Sequence, residues 1–227
     1  MKIREILKNE LEGWGKLEFW FFIVSLITVS VCSLVKGDEI LSVIAAVCGI
    51  IYTFSAGKGK IYCYLFGILS TTACGYIALR VSLFGTGALY FLYYLPMEIW
   101  GFFSWKKHLK KDSNEIVKTK LSKKELMVFS SSLVIISLVC IYIFIKMQDS
   151  NPAADALVLV LSIGAMLMTV KRCIEQWALW TIVNLLSVWL WFEVFFSGER
   201  TFSLFIIRII YFILGIYFFY KWKKQLS

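Results

Sequence analysis

Apolar stretches of about twenty residues recur along the chain, separated by short polar or charged segments. That length matches the hydrocarbon thickness of a bilayer at 1.5 Å per helical residue. The pattern predicts eight spanning helices at 18–36, 39–56, 60–80, 84–105, 126–147, 153–170, 173–196 and 201–222. Ahead of them, Ile3, Ile6, Leu7, Leu11 and Trp14 fall at helical spacing, with Lys2, Arg4, Lys8 and Lys16 elsewhere, as in an amphipathic helix lying on the inner leaflet. The connections Gly37-Asp38, Gly57-Lys58-Gly59 and Ser197-Gly198-Glu199-Arg200 are so short that the helices they join must run antiparallel. The expected fold is therefore an all-α integral membrane protein of eight transmembrane helices.

Two of these stretches break the apolar pattern. In the seventh, Trp177, Trp180, Asn184, Ser187 and Trp191 recur at steps of three and four and share a helical stripe, with Gln176 at its start and Glu193 near its end. An unpaired amide at membrane depth costs several kcal/mol, so Asn184 needs partners. Indoles around a buried amide read as the wall of a site for a polar aromatic solute. Trp177, nearer the end of the span, reads first as an interfacial belt residue. In the fourth stretch Tyr90, Tyr94, Met97, Glu98 and Gly101 share a face beside Pro96, where a helix can kink and free a carbonyl. Glu98 is an intramembrane carboxylate and thus a functional candidate, although pairing with a loop lysine is the structural alternative. Arg208, the only basic residue well inside a span, has two readings: an ion pair with Glu193 or Glu98, or a contact to cargo. Ser70 and Thr71 offer hydroxyls on the third span, where such residues also serve helix packing.

Charge fixes a direction. Of the 24 Lys and Arg residues, nineteen fall on one side of the eight-helix alternation and four on the other, Arg208 lying within a span. The positive-inside rule places both termini and the basic Lys106–Lys124 segment in the cytoplasm, and that segment is expected to be a solvated loop. A net charge of +9 distributed in this way points to membrane topology, and no nucleic-acid partner is expected.

Sliding the chain over itself by 117 residues places Leu69-Ser70 on Leu186-Ser187, Tyr94 on Tyr211, Phe102 on Phe219 and Trp105-Lys106-Lys107 on Trp222-Lys223-Lys224. Three helices and a connector return the chain to its starting side, so the two repeats are parallel, as in SWEET transporters. The expected organisation is an amphipathic segment and extra helix over 1–38, a first three-helix repeat over 39–110, a basic loop and connector over 111–152, and a second repeat over 153–227. In this register Asn184 corresponds to Gly67.

Composition agrees: 59 % of residues are hydrophobic and 17 % aromatic, well above soluble proteins. Six scattered cysteines (Cys32, Cys48, Cys63, Cys74, Cys140, Cys173) form neither a metal motif nor a disulfide framework. No cleavable signal peptide is expected, because no small-residue site follows a short apolar core. The single histidine, His108, lies among lysines, and no catalytic triad, P-loop or dinucleotide turn is present. Neither enzyme activity nor a cofactor or metal is expected.

Several segments resemble the PnuC family of bacterial nicotinamide riboside transporters. They are Trp177-Ala-Leu-Trp180-Thr-Ile-Val-Asn184, the Tyr94-Leu-Pro-Met-Glu98-Ile-Trp-Gly101 segment with Trp105-Lys106-Lys107, and the closing Gly215…Tyr220-Lys-Trp222-Lys-Lys. The resemblance covers the chain from about residue 39. It implies a SWEET-like three-plus-one-plus-three core in the bacterial inner membrane and facilitated diffusion of nicotinamide riboside, an NAD precursor, trapped by a cytoplasmic kinase. The substrate-binding candidates are Trp180, Asn184, Gln176, Ser187, Tyr94, Glu98, Tyr90, Trp177, Trp191 and Arg208. Thiamine, also an aromatic cation, is the alternative cargo, and a non-transporting scaffold is the alternative of a different class. Proton coupling through Glu98, Glu193 and Arg208 stays open, as does self-association into a homo-oligomer.

Overall fold

The computed structural model describes residues 15–36, 40–80, 84–111, 115–148, 151–196 and 202–226, and nearly all of these are helical. In chain order they form α1 (Lys16–Lys36), α2 (Ile40–Lys58), α3 (Cys63–Arg80), α4 (Phe84–Leu89), a π-helical stretch (Tyr90–Tyr94), α5 (Leu95–Lys106), α6 (Lys123–Lys146), α7 (Pro152–Val170), α8 (Glu175–Phe196) and α9 (Phe202–Leu226). Among the described residues, α1, α2, α3, α6, α7 and α9 each contain a stretch long and apolar enough to cross a bilayer. The expected spans at 84–105 and 173–196 are helical too, the first as the α4–π–α5 rod and the second as α8. The proposed amphipathic helix before Gly15 and the turns at Gly37-Asp38 and 197–200 lie outside the described residues.

Packing sorts the helices into two groups. In one, α2 packs on α3, and α3 on the α4–α5 rod; in the other, α7 packs on α8, and α8 on α9. The groups meet where α5 touches α7 and where α9 touches α2, and α1 lies across the seam between α2 and α9. Helix α6 packs against α7, where Gly164 admits Leu133 and Phe129, and otherwise presents apolar side chains outward, with only Ser137 buried. An outward apolar helix suits a lipid surround.

Local sequence explains the irregular points. Pro96 has no N–H to offer the carbonyl one turn back. The chain answers with a wider turn, in which the Leu95 N–H donates to Tyr90 O, five residues earlier. Ser122 and Glu125 form a capping box that starts α6. Gly59 takes a positive φ of 75°, and a Cβ there would also crowd Ile116 at 3.1 Å.

The basic segment differs from the solvated loop expected. Ile116 is fully buried and its N–H donates to Gly59 O at 2.9 Å, in the α2–α3 turn. Thr119 donates to Arg172 O at 3.0 Å and accepts from the Ile174 N–H at 2.9 Å, in the α7–α8 turn. The lysines dominate the composition, whereas one isoleucine and the backbone decide where the segment lies. A second tie joins α1 to both groups: the buried Glu18 carboxylate binds Lys58 of α2 together with Lys221 and Tyr217 of α9. Opposite charges at such burial hold only when fully paired, and this carboxylate is also capped by the Gly15 N–H at 3.0 Å.

Candidate functional site

Between the two groups lies a cavity of about 1040 Å³. The α8 stripe forms one wall, with Gln176, Trp177, Trp180, Asn184 and Ser187 all lining it. Their spacing of three and four turns them to one side, and four of the five are buried, Gln176 at 1 % and Asn184 at 4 % exposure. Internal bonds hold their orientation. Asn184 Nδ2 donates to Trp180 O at 2.7 Å, Gln176 Nε2 to Cys173 O at 3.0 Å, and Trp180 Nε1 to Thr169 Oγ1 at 3.3 Å. With one amide hydrogen engaged along its own helix, Asn184 has the remainder of its donor and acceptor set for other partners.

The opposite wall comes from the α4–α5 rod, α2, α3 and α9. Tyr90, Tyr94, Glu98 and Arg208 line it. The π turn brings three phenol rings together, Tyr94 lying 5.6 Å from Tyr90 and 5.4 Å from Tyr93. Tyr93 spans the cavity's flank, its hydroxyl donating to Ile163 O at 2.7 Å. Glu98 is 5 % exposed; Thr71 donates to its Oε1 at 2.9 Å, while Oε2 is buried with no partner. Gly67 makes room for this arrangement, since a Cβ there would meet Tyr52 at 2.8 Å and Glu98 Oε1 at 3.0 Å.

Nine of the ten residues singled out by sequence therefore line one cavity, and the tenth, Trp191, lies on α8 with its side chain outside the described set. The fold departs from one structural alternative and from part of another. Trp177 is 3 % exposed and packed between Phe218 and Trp222, at 5.1 and 5.8 Å, which is an interior position and not an interfacial belt. Arg208 forms no ion pair with Glu98 among the described residues, and its Nε is buried without a partner; the side chain of Glu193 lies outside the described set. Sequence reasoning missed Tyr52, Thr53, Tyr93, Asp155, Ser162, Thr169 and Tyr211, which also line the cavity. One signal was available: Asp155, Ser162 and Thr169 recur every seven residues along the otherwise apolar α7, a polar stripe on one face.

Chemically, three residues lining this space each carry a buried polar atom without a partner: an acceptor, Glu98 Oε2, and two donors, Trp177 Nε1 and Arg208 Nε. Buried polar groups left unpaired cost about 1–3 kcal/mol each, so such a set marks a place where something else completes the bonding. Indole and phenol faces favour a cation. Among the described residues, no cluster of three or more His, Cys, Asp or Glu could hold a metal ion.

Residues 39–224 match the family model described as nicotinamide mononucleotide transporter. The nicotinamide riboside transporter PnuC of Neisseria mucosa is 30 % identical over 96 % of this chain and 85 % of its own length. The transporter of the same name from Haemophilus influenzae is 27 % identical over 99 % of this chain and 97 % of its own. A crystal structure of the vitamin B3 transporter PnuC superimposes with a TM-score of 0.83, 30 % identity, and coverage of 96 % of this chain and 95 % of that one.

Proposed function

The chain belongs to the nicotinamide mononucleotide (PnuC) transporter family, and from that premise we propose that it carries nicotinamide riboside across the bacterial inner membrane by facilitated diffusion. The observation that carries the reading is the aromatic-walled cavity in which Glu98 Oε2 is buried and unpartnered. Nicotinamide riboside is a pyridinium cation with a carboxamide and ribose hydroxyls. The faces of Trp180 and Tyr94 attract the ring by about 0.5–2 kcal/mol each. Asn184 and the Trp177 N–H bond the carboxamide or hydroxyls, Gln176 and Ser187 extend that polar row, and Glu98 balances the charge.

The relatives' names point to the riboside and the family model's description to the mononucleotide. The site favours the riboside. A phosphate would bring up to two negative charges into a cavity lined by Glu98 and Asp155, with Arg208 the one cationic lining residue among those described.

The same reading takes the two packing groups as parallel repeats joined by α6, with α1 as an extra helix, which makes eight spans in a three-plus-one-plus-three core. Both termini and the basic segment then face the cytoplasm, where a kinase traps the riboside. Matching ring pairs support the repeat: Tyr64 meets Trp105 edge-on at 5.0 Å, and Trp177 meets Trp222 at 5.8 Å. Tyr64 and Trp177 are four residues closer in sequence than Trp105 and Trp222, about one helical turn. The middle helices thus pair one turn away from the ungapped register, and the counterpart of Asn184 becomes Thr71, the residue that holds Glu98.

Titration of the purified protein with nicotinamide riboside, its mononucleotide and thiamine tests the reading. Saturable binding with the riboside tightest is expected, and Asn184→Ala should weaken it at least about tenfold, or about 1.4 kcal/mol. A thiamine preference would move the cargo to that vitamin, and no binding of any of the three would favour a scaffold.

A further inference from the structure

Two tryptophans that do not themselves line the cavity pack directly behind residues that do, Trp105 on Thr169 and Trp222 on Trp177. Trp105, in the last turn of α5, and Trp222, near the end of α9, are both fully buried. Each sends its indole N–H across to the other helix group. Trp105 Nε1 donates to Thr169 O near the end of α7 at 2.8 Å, and Trp222 Nε1 donates to Gly57 O near the end of α2 at 2.7 Å. The two bonds cross the seam reciprocally and at the same end. Both acceptors adjoin the cavity, since Thr169 lines it and Ala56, beside Gly57, does too. Over this end lies the segment 115–121, held to one group by Ile116 on Gly59 and to the other by Thr119 on Arg172 and Ile174.

We propose that this crossed tryptophan pair, overlaid by the 115–121 strap, is the gate on the basic side of the carrier. Its ties join the groups to one another and add little within either, so their loss frees the groups to part at that end without unfolding either. A cargo resting on Trp177 and Gln176 at the cavity floor leaves in that direction only past Trp105 and Trp222. The acceptors are main-chain carbonyls of helix ends, which water satisfies once the indoles withdraw. The strap must then let go of one turn, and the α2–α3 side is the smaller tie: one backbone bond to Gly59 and the Lys60–Glu115 ion pair at 3.8 Å, against two backbone bonds at the α7–α8 turn, the Thr119 hydroxyl on Lys171 O, the Arg172 guanidinium on Val117 O and the Leu121 N–H on the Glu175 carboxylate. The inference rests on the carrier reading above.

The chain provides its own reporter. Cys173 is 5 % exposed beneath the strap, its sulfur 3.4 Å from Thr119 Oγ1. In a variant keeping Cys173 as its only cysteine, reconstituted in vesicles, Trp105→Phe and Trp222→Phe keep a ring and remove the donor. Modification of Cys173 by a membrane-impermeant maleimide should quicken at least threefold in each and further in the double variant. Independently, in a cysteine-free chain, Lys60→Cys with Glu115→Cys places a disulfide across a pair that already bridges antiparallel. Oxidation should stop riboside flux while riboside binding persists, and a reductant should restore flux. Unchanged Cys173 modification in both Phe variants, or full flux through the oxidised pair, overturns the gate. Failure of the unmutated protein to bind nicotinamide riboside would instead sink the carrier reading, so the two failures are told apart.

Discussion

Replacing Glu98 by Gln probes the electrostatic core of the reading. The substitution keeps the shape and the Thr71 bond to Oε1 at 2.9 Å and removes only the charge at the unpartnered Oε2. Glu98 is 5 % exposed and its Oε2 has no partner, so holding a charge there is costly until a cation arrives to pair with it. A pyridinium centre about 6 Å away at an effective dielectric of about 20 gains about 3 kcal/mol, which corresponds to about 100-fold in affinity. Water remaining in a cavity of this size reduces that figure, so a loss of about 10- to 100-fold is expected. The assay is a titration of wild type and Glu98→Gln with two ligands of nearly the same shape: the oxidised riboside, which is a cation, and the 1,4-dihydro riboside, which is neutral. The variant should lose the cation by the stated factor and change its affinity for the neutral form by less than about threefold. Equal losses for both ligands would mean that Glu98 shapes the site without using its charge. No loss for either would place the carboxylate outside the binding region and remove it from the mechanism.

Two further outcomes concern the ties between helices. Glu18→Gln leaves Lys58, whose side chain is 7 % exposed, and Lys221, 23 % exposed, without their shared anion; breaking a buried pair costs about 3–5 kcal/mol, and the partial exposure of Lys221 puts this case at the lower end. Thermal unfolding in detergent should show a clear drop in Tm, and an unchanged Tm would mean that α1 is anchored by its apolar face alone. Lys118 lies beyond the spans, its ammonium 4.8 Å above the Trp222 ring and bonded to Gln225; burial holds its pKa down to about 8, against an upward pull from Glu115. Because an unfolded lysine titrates near 10.4, the unfolded chain binds the extra proton between about pH 8 and 10, so this group's contribution to stability rises with pH across that window. The acylation rate of Lys118 against pH should have a midpoint near 8, and a midpoint near 10 would refute its burial.

The helices were legible because the bilayer acts on each residue locally: twenty apolar residues between charges imply a span whatever lies beside it. Trp180, Asn184 and Glu98 were legible for the same reason, as polar or amphipathic groups where hydrocarbon tolerates few. What sequence left ambiguous depended on neighbours distant along the chain. An indole near a helix end serves a belt or an interior equally well by depth, and only Phe218 and Trp222, over forty residues away, decide it for Trp177. If the helix groups are the parallel repeats proposed above, the ungapped slide that aligns Trp105 with Trp222 sets the middle helices one turn out, because a single offset cannot absorb a shift between second and third helices. In the basic segment the signal lay in one apolar residue, Ile116, and in backbone bonds, neither of which a charge count detects.

The two walls of the cavity divide the work unequally, and this bears on how a carrier releases what it holds. The α8 wall offers indole faces, an amide and a buried N–H; the opposite wall offers phenols and the carboxylate of Glu98. In the binding mode proposed above, a cationic nucleoside spans the seam, with its amide and hydroxyls read by one helix group and its charge balanced from the other. Any motion that parts the groups at either end stretches contacts on one side of the cargo before the other. Several contacts of about 1 kcal/mol can be surrendered one at a time, whereas a single strong ion pair on one wall would keep the cargo with that wall through the whole cycle. On this argument the buried carboxylate is tolerable for transport because it faces its charge partner across the seam, while the contacts that recognise the cargo sit on the other group.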